Sequence, residues 1–252
     1  MIEKEVIVKN LKVNYKMFGL GKPLLILHGW PSSSDRWQKV AEILASKYLI
    51  IIPDLPGFGK SEIPKTAWSL NDYVEWLLEF SEKVPELNKI FYLLGHSFGG
   101  ALASKFAIKY NQRIEKLFLV SAACVRTNTG IKKVFYRISK IIKIFSFLPF
   151  YTQFRKVIYK FIIKRSDYLN QEGVMKETYL KVILDDLSYK MGFIRVPTVI
   201  IWGNKDILTP IDQANLIHSK IPHSKLVIIP EADHSLNIKM SEVLAKKVLD
   251  NI

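Results

Sequence analysis

Short apolar runs alternate with stretches of helical spacing along most of the chain. The runs are typical of strands buried on both faces of a sheet, and they lie at residues 23–29, 48–54, 91–94, 116–120, 198–203 and 226–229. Apolar positions three and four residues apart predict helices at 35–44, 69–83, 98–110, 211–221 and 238–249. This alternation predicts an α/β fold, with a mostly parallel sheet that is covered by helices on both faces. Two shorter runs, at 6–8 and 12–15, predict edge strands.

The pattern changes between residues 122 and 195, where only helical spacing remains. Pro149 separates two apolar helices predicted over 131–145 and 154–162, and a third helix is predicted over 174–187. Strands return after this segment. We therefore expect a core of residues 1–121 and 196–252, and a helical insertion, or cap, of residues 122–195.

The composition is that of an ordinary globular protein, with 252 residues, 49% of them apolar and 24% charged. The single cysteine, Cys124, excludes an internal disulfide framework. The first residues lack the features of a secretory signal, and no apolar run reaches the ~18 residues that a membrane-spanning helix needs. We expect a cytoplasmic protein.

The net charge of +14 is concentrated in the predicted cap, which contains 15 Lys and Arg residues but only 5 Asp and Glu residues. One interpretation is an anionic partner, such as a carrier protein, a membrane surface or a substrate carboxylate. The other is that these lysines keep two very apolar helices soluble. Nucleic acid is not expected, because no binding motif accompanies the charge. The sequence does not predict the oligomeric state.

A glycine-flanked serine, in the stretch Gly95-His96-Ser97-Phe98-Gly99-Gly100, lies between a predicted strand and a predicted helix. Joining a strand to a helix in so few residues requires a strained turn, which raises the serine hydroxyl above the sheet. The glycines allow the neighbouring backbones to pass. Ser97 is therefore the candidate nucleophile.

Two loops that follow later strands carry what a serine nucleophile needs. Asp206 follows one of these strands and His234 follows the next. His234 would take the serine proton and return it to the leaving group, while Asp206 would fix the imidazole tautomer and stabilise the imidazolium. Asp233 adjoins the histidine too closely to orient it. The other candidate bases, His96, His218 and His223, lie on or beside predicted helices or on the serine turn itself.

The anionic intermediate of acyl transfer also needs hydrogen-bond donors. The backbone N–H of Phe98, directly after the nucleophile, is one, and the N–H of Trp30, just after His28 and Gly29, is the second. We expect the side chains of Trp30 and Phe98 to help form the wall of an apolar pocket.

Together these motifs resemble the α/β-hydrolase superfamily, in the branch with a helical cap. They are His28-Gly29-Trp30-Pro31, Asp54-Leu55-Pro56-Gly57-Phe58-Gly59-Lys60-Ser61, the serine turn, Gly203-Asn204-Lys205-Asp206 and Asp233-His234. The resemblance implies an eight-stranded, mostly parallel sheet, an active site under the cap and no cofactor or metal. Ser97 argues against haloalkane dehalogenases and epoxide hydrolases, which have Asp at that position.

The resemblance leaves several serine-dependent activities open: esterases, lactonases, carbon-carbon bond hydrolases of ring-cleavage products, carrier-protein methyl ester esterases and perhydrolases. The leading hypothesis is a carboxylic-ester hydrolase for short to medium acyl chains that forms an acyl-enzyme. The main alternative keeps the same three residues but cleaves a lactone or a carbon-carbon bond. A third interpretation is a ligand-sensing protein of the same fold with little turnover.

Overall fold

The computed structural model describes residues 1–126 and 173–252, which form one compact unit. The helices predicted over 131–145 and 154–162 lie outside the described residues. The boundaries of the cap stay a prediction.

One eight-stranded sheet runs through this unit, in the order β1-β2-β4-β3-β5-β6-β7-β8. The strands are β1 (Ile2–Val8), β2 (Leu11–Phe18), β3 (Pro23–Leu27), β4 (Leu49–Pro53), β5 (Phe91–His96), β6 (Ile114–Val120), β7 (Thr198–Gly203) and β8 (Lys225–Ile229). β2 pairs antiparallel with β1 and β4, and the remaining pairs are parallel. The predicted mostly parallel sheet is confirmed.

The second predicted edge strand is not an edge. Residues 12–15 lie in β2, which has a neighbour on each side, so only β1 forms the edge there. Lys16 interrupts the apolar pattern of this strand, yet its side chain is buried and forms an ion pair with Asp35. The ion pair explains why an interior strand carries a charged residue.

Helices cover both faces of the sheet. In the described part of the chain they are α1 (Gln38–Leu44), α2 (Leu70–Lys83), α3 (Phe98–Lys109), α4 (Gly173–Ile183), α5 (Ile211–Lys220), α6 (Leu236–Lys239) and α7 (Ser241–Leu249). The predicted closing helix is divided into α6 and α7 at Met240, and α4 ends earlier than predicted. Nowhere in residues 1–126 or 173–252 is a helix both long and apolar enough to span a bilayer.

Two apolar layers enclose the sheet. The first contains residues of α2 and α3, such as Tyr73 and Phe106, and the second contains residues of α1 and α7, such as Val40 and Leu244. Strands β3 and β5 at the centre are almost wholly buried. Their ends are therefore where polar groups can reach a ligand, and in a parallel sheet the carboxyl ends share one edge.

Candidate active site

Ser97 lies at the sharp turn between β5 and α3. Its backbone has φ 53° and ψ −116°, a conformation that non-glycine residues rarely adopt. A Cβ on Gly95 would lie 2.3 Å from the carbonyl oxygen of Gly99, and one on Gly99 would lie 2.2 Å from that of Leu27. Only glycine fits these positions, so the strained turn predicted from the sequence is present.

Main-chain hydrogen bonds hold this turn in place. The Ser97 N–H donates to the Val120 carbonyl at the end of β6, 3.1 Å away, and the Ser97 carbonyl accepts from the Ala123 N–H at 2.9 Å. The Ser97 side-chain hydroxyl makes no hydrogen bond within the described residues. Hydrogen bonds between a nucleophilic serine and its base are often long without substrate, so the contact between Ser97 and His234 stays a prediction.

Asp206 and His234 form a hydrogen-bonded pair at the same edge of the sheet. His234 Nδ1–H donates to Asp206 Oδ2 over 2.8 Å. Because a carboxylate only accepts, this bond places the proton on Nδ1 and leaves the Nε2 lone pair to act as a base. Asp206 follows β7 and His234 follows β8, as the sequence predicts.

The buried Asp206 carboxylate is fully engaged. Oδ1 accepts the backbone N–H groups of Leu208 and Thr209, both at 2.9 Å, and Oδ2 also accepts the Thr209 hydroxyl at 2.8 Å. Burial raises the pKa of Asp206, but the hydrogen bonds from His234 and Thr209 outweigh it, so the pKa lies below the usual value. The ionised carboxylate can therefore stabilise an imidazolium at neutral pH.

The rival acid and one of the rival bases have other partners. Asp233 accepts from the Ser235 N–H at 2.8 Å and forms an ion pair with Lys239. His218 Nδ1 lies 2.9 Å from the hydroxyl of Ser224. Neither residue contributes to the hydrogen bonds of the Asp206–His234 pair.

The two expected oxyanion donors follow neighbouring strands. β3 and β5 pair in register, Leu27 with Gly95, so the segments after them lie side by side. A Cβ on Gly29 would lie 3.1 Å from Ser97 Cβ, which places the chain just before Trp30 against the serine. Within the described residues, neither the Trp30 N–H nor the Phe98 N–H has an acceptor. Both are available to an oxyanion.

His28 is a residue whose role sequence reasoning missed. It is fully buried, its Nδ1–H donates to the Gly29 carbonyl at 2.8 Å, and its Nε2 accepts the Leu55 N–H at 3.0 Å. Burial lowers its pKa, which keeps the ring neutral. The imidazole thereby joins the loop that leads to Trp30 to the loop after β4. Its position in the His-Gly-Trp-Pro motif was the only signal.

The aromatic groups beside the serine turn form an apolar wall. The ring centroid of Trp30 lies 4.6 Å from that of Phe58, 5.5 Å from that of Phe98 and 5.3 Å from that of Tyr179. The rings are therefore in mutual contact beside the serine turn, and the role of Trp30 and Phe98 in a pocket wall stays a prediction. Across the described ranges, no group of three or more His, Cys, Asp or Glu is placed to hold a metal ion.

Comparisons with known sequences agree with this geometry. Residues 22–143 and 141–239 match the model of the alpha/beta hydrolase fold. The chain is 28% identical to Lipase 3 of Moraxella sp. over 228 residues, which cover 85% of this chain and 72% of that protein. It is also 28% identical to the pimeloyl-[acyl-carrier protein] methyl ester esterase of Legionella pneumophila over 239 residues. These residues cover 89% of this chain and 92% of that protein.

Solved structures share the fold at low sequence identity. A bacterial membrane phospholipase A has a TM-score of 0.78 at 20% identity, covering 99% of this chain and 84% of that one. A meta-cleavage product hydrolase from Pseudomonas fluorescens has a TM-score of 0.74 at 21% identity, covering 98% and 96%. With a family match over most of its length, this chain belongs to the alpha/beta hydrolase fold family.

Proposed function

We propose that this protein is a serine hydrolase that cleaves carboxylic esters through an acyl-enzyme on Ser97. The observation that carries the proposal is the strained turn at Ser97 at the same sheet edge as the hydrogen-bonded Asp206–His234 pair. Relatives that are named as a lipase and as a methyl ester esterase support ester bonds as the target.

The geometry suggests the following sequence of steps. Ser97 Oγ attacks the ester carbonyl carbon while His234 Nε2 takes its proton, and the carbonyl oxygen becomes an oxyanion bound by the N–H groups of Trp30 and Phe98. Collapse of this intermediate breaks the C–O bond, and His234 gives the proton to the departing alcohol. Water activated by His234 then releases the acid and restores the serine hydroxyl.

The aromatic wall favours an apolar acyl group of short to medium length. The Trp30 ring contacts those of Phe58 and Phe98 edge to face, close to the serine turn. We expect p-nitrophenyl butyrate or hexanoate to be hydrolysed faster than long-chain esters. A steady rise in activity to acyl chains beyond about twelve carbons would contradict this preference.

The decisive experiment is labelling with a fluorophosphonate, followed by intact mass, alongside ester hydrolysis. Wild type should gain one adduct and hydrolyse p-nitrophenyl butyrate, and Ser97→Ala should do neither. Ser104→Ala is the matched control, because this buried serine lies on α3 and its hydroxyl donates to Gly100 within the helix. Labelling of Ser97→Ala, or absence of labelling in wild type, would refute Ser97 as the nucleophile.

The same preparation separates the alternatives. Bleaching of a vinylogous diketo acid would favour carbon-carbon bond cleavage, and lactone opening without ester hydrolysis would favour a lactonase. Labelling in a single turnover, without steady-state hydrolysis of any ester or lactone, would favour the ligand-sensing interpretation.

A further inference from the structure

His96, which directly precedes the nucleophile, contacts the catalytic histidine's loop. Its Nε2–H donates to the main-chain oxygen of His234 over 2.9 Å. The ring centroids of the two histidines are 5.0 Å apart. In the part of the chain that the structure describes, this is the hydrogen bond that joins residues 95–100 to residues 231–235.

The His96 ring is held in one orientation. Trp37 approaches it in an edge arrangement with centroids 5.8 Å apart, and a Cβ on Gly29 would lie 3.1 Å from its Nδ1. Burial, followed by the nearby charge of His234, lowers the pKa of His96 to about 3. The His96 ring is therefore neutral. Because the His234 main-chain oxygen can only accept a hydrogen bond, the proton of the His96 ring is on Nε2.

The two sides of the site differ in how firmly the sheet supports them. Ser97 follows β5, which is buried at every position, whereas His234 follows β8, an edge strand whose first four residues are exposed or half-buried. Asp206 fixes the tilt and tautomer of the His234 ring through Nδ1, and within the described residues it makes no hydrogen bond to the His234 backbone. The Asp206 loop holds this loop at one point, where the Lys205 N–H donates to the Ala232 carbonyl over 2.9 Å, and the hydrogen bond from His96 adds a second point at His234 itself.

We propose that His96 is a positioning residue that holds His234 within reach of Ser97 through the hydrogen bond to the His234 main-chain oxygen. The inference rests on the proposed function for its effect on catalysis. Displacing a catalytic group by about 1 Å can cost a factor of about 10² in rate, so this hydrogen bond affects turnover without touching substrate.

The test compares His96→Leu, which has no donor, with His96→Gln, whose amide N–H reaches about as far as Nε2. For p-nitrophenyl butyrate, we expect His96→Leu to lower kcat by about 10- to 100-fold with KM within about twofold. His96→Gln should recover most of the loss, and the rate of fluorophosphonate labelling should follow kcat. His218→Leu, which removes an imidazole bonded to Ser224, is the control and should leave kcat unchanged.

A His96→Leu variant with wild-type kcat would overturn the inference, and so would equal losses in Leu and Gln variants that remain folded. If the Leu variant does not fold, His96→Asn replaces it. Its shorter amide should give a slower enzyme than Gln, and equal rates would count against the hydrogen bond.

Amide hydrogen exchange of residues 231–235 separates this inference from the proposed function. Faster exchange in His96→Leu than in wild type supports the positioning role of His96 even if wild type cleaves no ester. Unchanged exchange refutes it.

Discussion

Replacing Asp206 by Asn changes one atom but should reverse the tautomer of His234. The backbone N–H groups of Leu208 and Thr209 both donate to Oδ1, so an asparagine oxygen must occupy that position. The amide NH₂ group then takes the place of Oδ2 and faces His234 Nδ1. Because Nδ1 must now accept, the ring proton moves to Nε2, and the imidazole can no longer take the proton of Ser97.

The expected loss is large because the base is removed and the position of the ring is kept. The same exchange in a serine protease triad lowers kcat by about 10⁴, which corresponds to about 5.5 kcal/mol at about 1.4 kcal/mol per tenfold change. We therefore expect Asp206→Asn to lower kcat for p-nitrophenyl butyrate on that order, with a smaller change in KM.

The neighbouring acid provides the control for this assay. Asp233→Asn alters an exposed carboxylate that pairs with Lys239, and it should leave kcat within a few-fold of wild type. If Asp206→Asn kept kcat within about tenfold of wild type, the tautomer argument would be wrong and another residue would have to orient the base.

Two further changes test the support around the site. Gly99→Ala places a Cβ 2.2 Å from the Leu27 oxygen and should lower the free energy of unfolding by about 3 kcal/mol or more, whereas Gly192→Ala, whose Cβ meets no atom closer than 3.6 Å, should change it little. Asp54 Oδ1 accepts the Ser34 N–H at 2.7 Å and Oδ2 accepts the Lys60 N–H at 2.9 Å, so Asp54→Asn keeps one acceptor and turns an NH₂ group toward the other buried N–H, which should cost about 2–4 kcal/mol in urea denaturation. A loss below about 0.5 kcal/mol for either change would contradict these contacts.

Local sequence patterns predicted the elements that carry the site, because each contains its own signal. The apolar run before Ser97 and the glycines around it specify a buried strand followed by a tight turn, and both are present. The helix predicted from Ser69 begins there, because Ser69 and Asp72 form reciprocal hydrogen bonds that cap its first turn.

Contacts between distant segments could not be predicted in this way. The sequence excluded His96 as a base because it lies on the serine turn, but its bond to a residue 138 positions away depends on which strands are neighbours. The burial of the Lys16 ammonium was not predicted either, because it depends on an ion pair with Asp35 in a different segment.

The difference in support between β5 and β8 also has a consequence for heating. Protein segments open with separate free energies, which are smallest where few apolar contacts hold them and largest in the central strands. We therefore expect the edge strand that precedes His234 to open at a lower temperature than the central strands that support Ser97. Catalysis should then disappear a few degrees below the cooperative loss of secondary structure, and it should return on cooling because the turn at Ser97 was never unfolded.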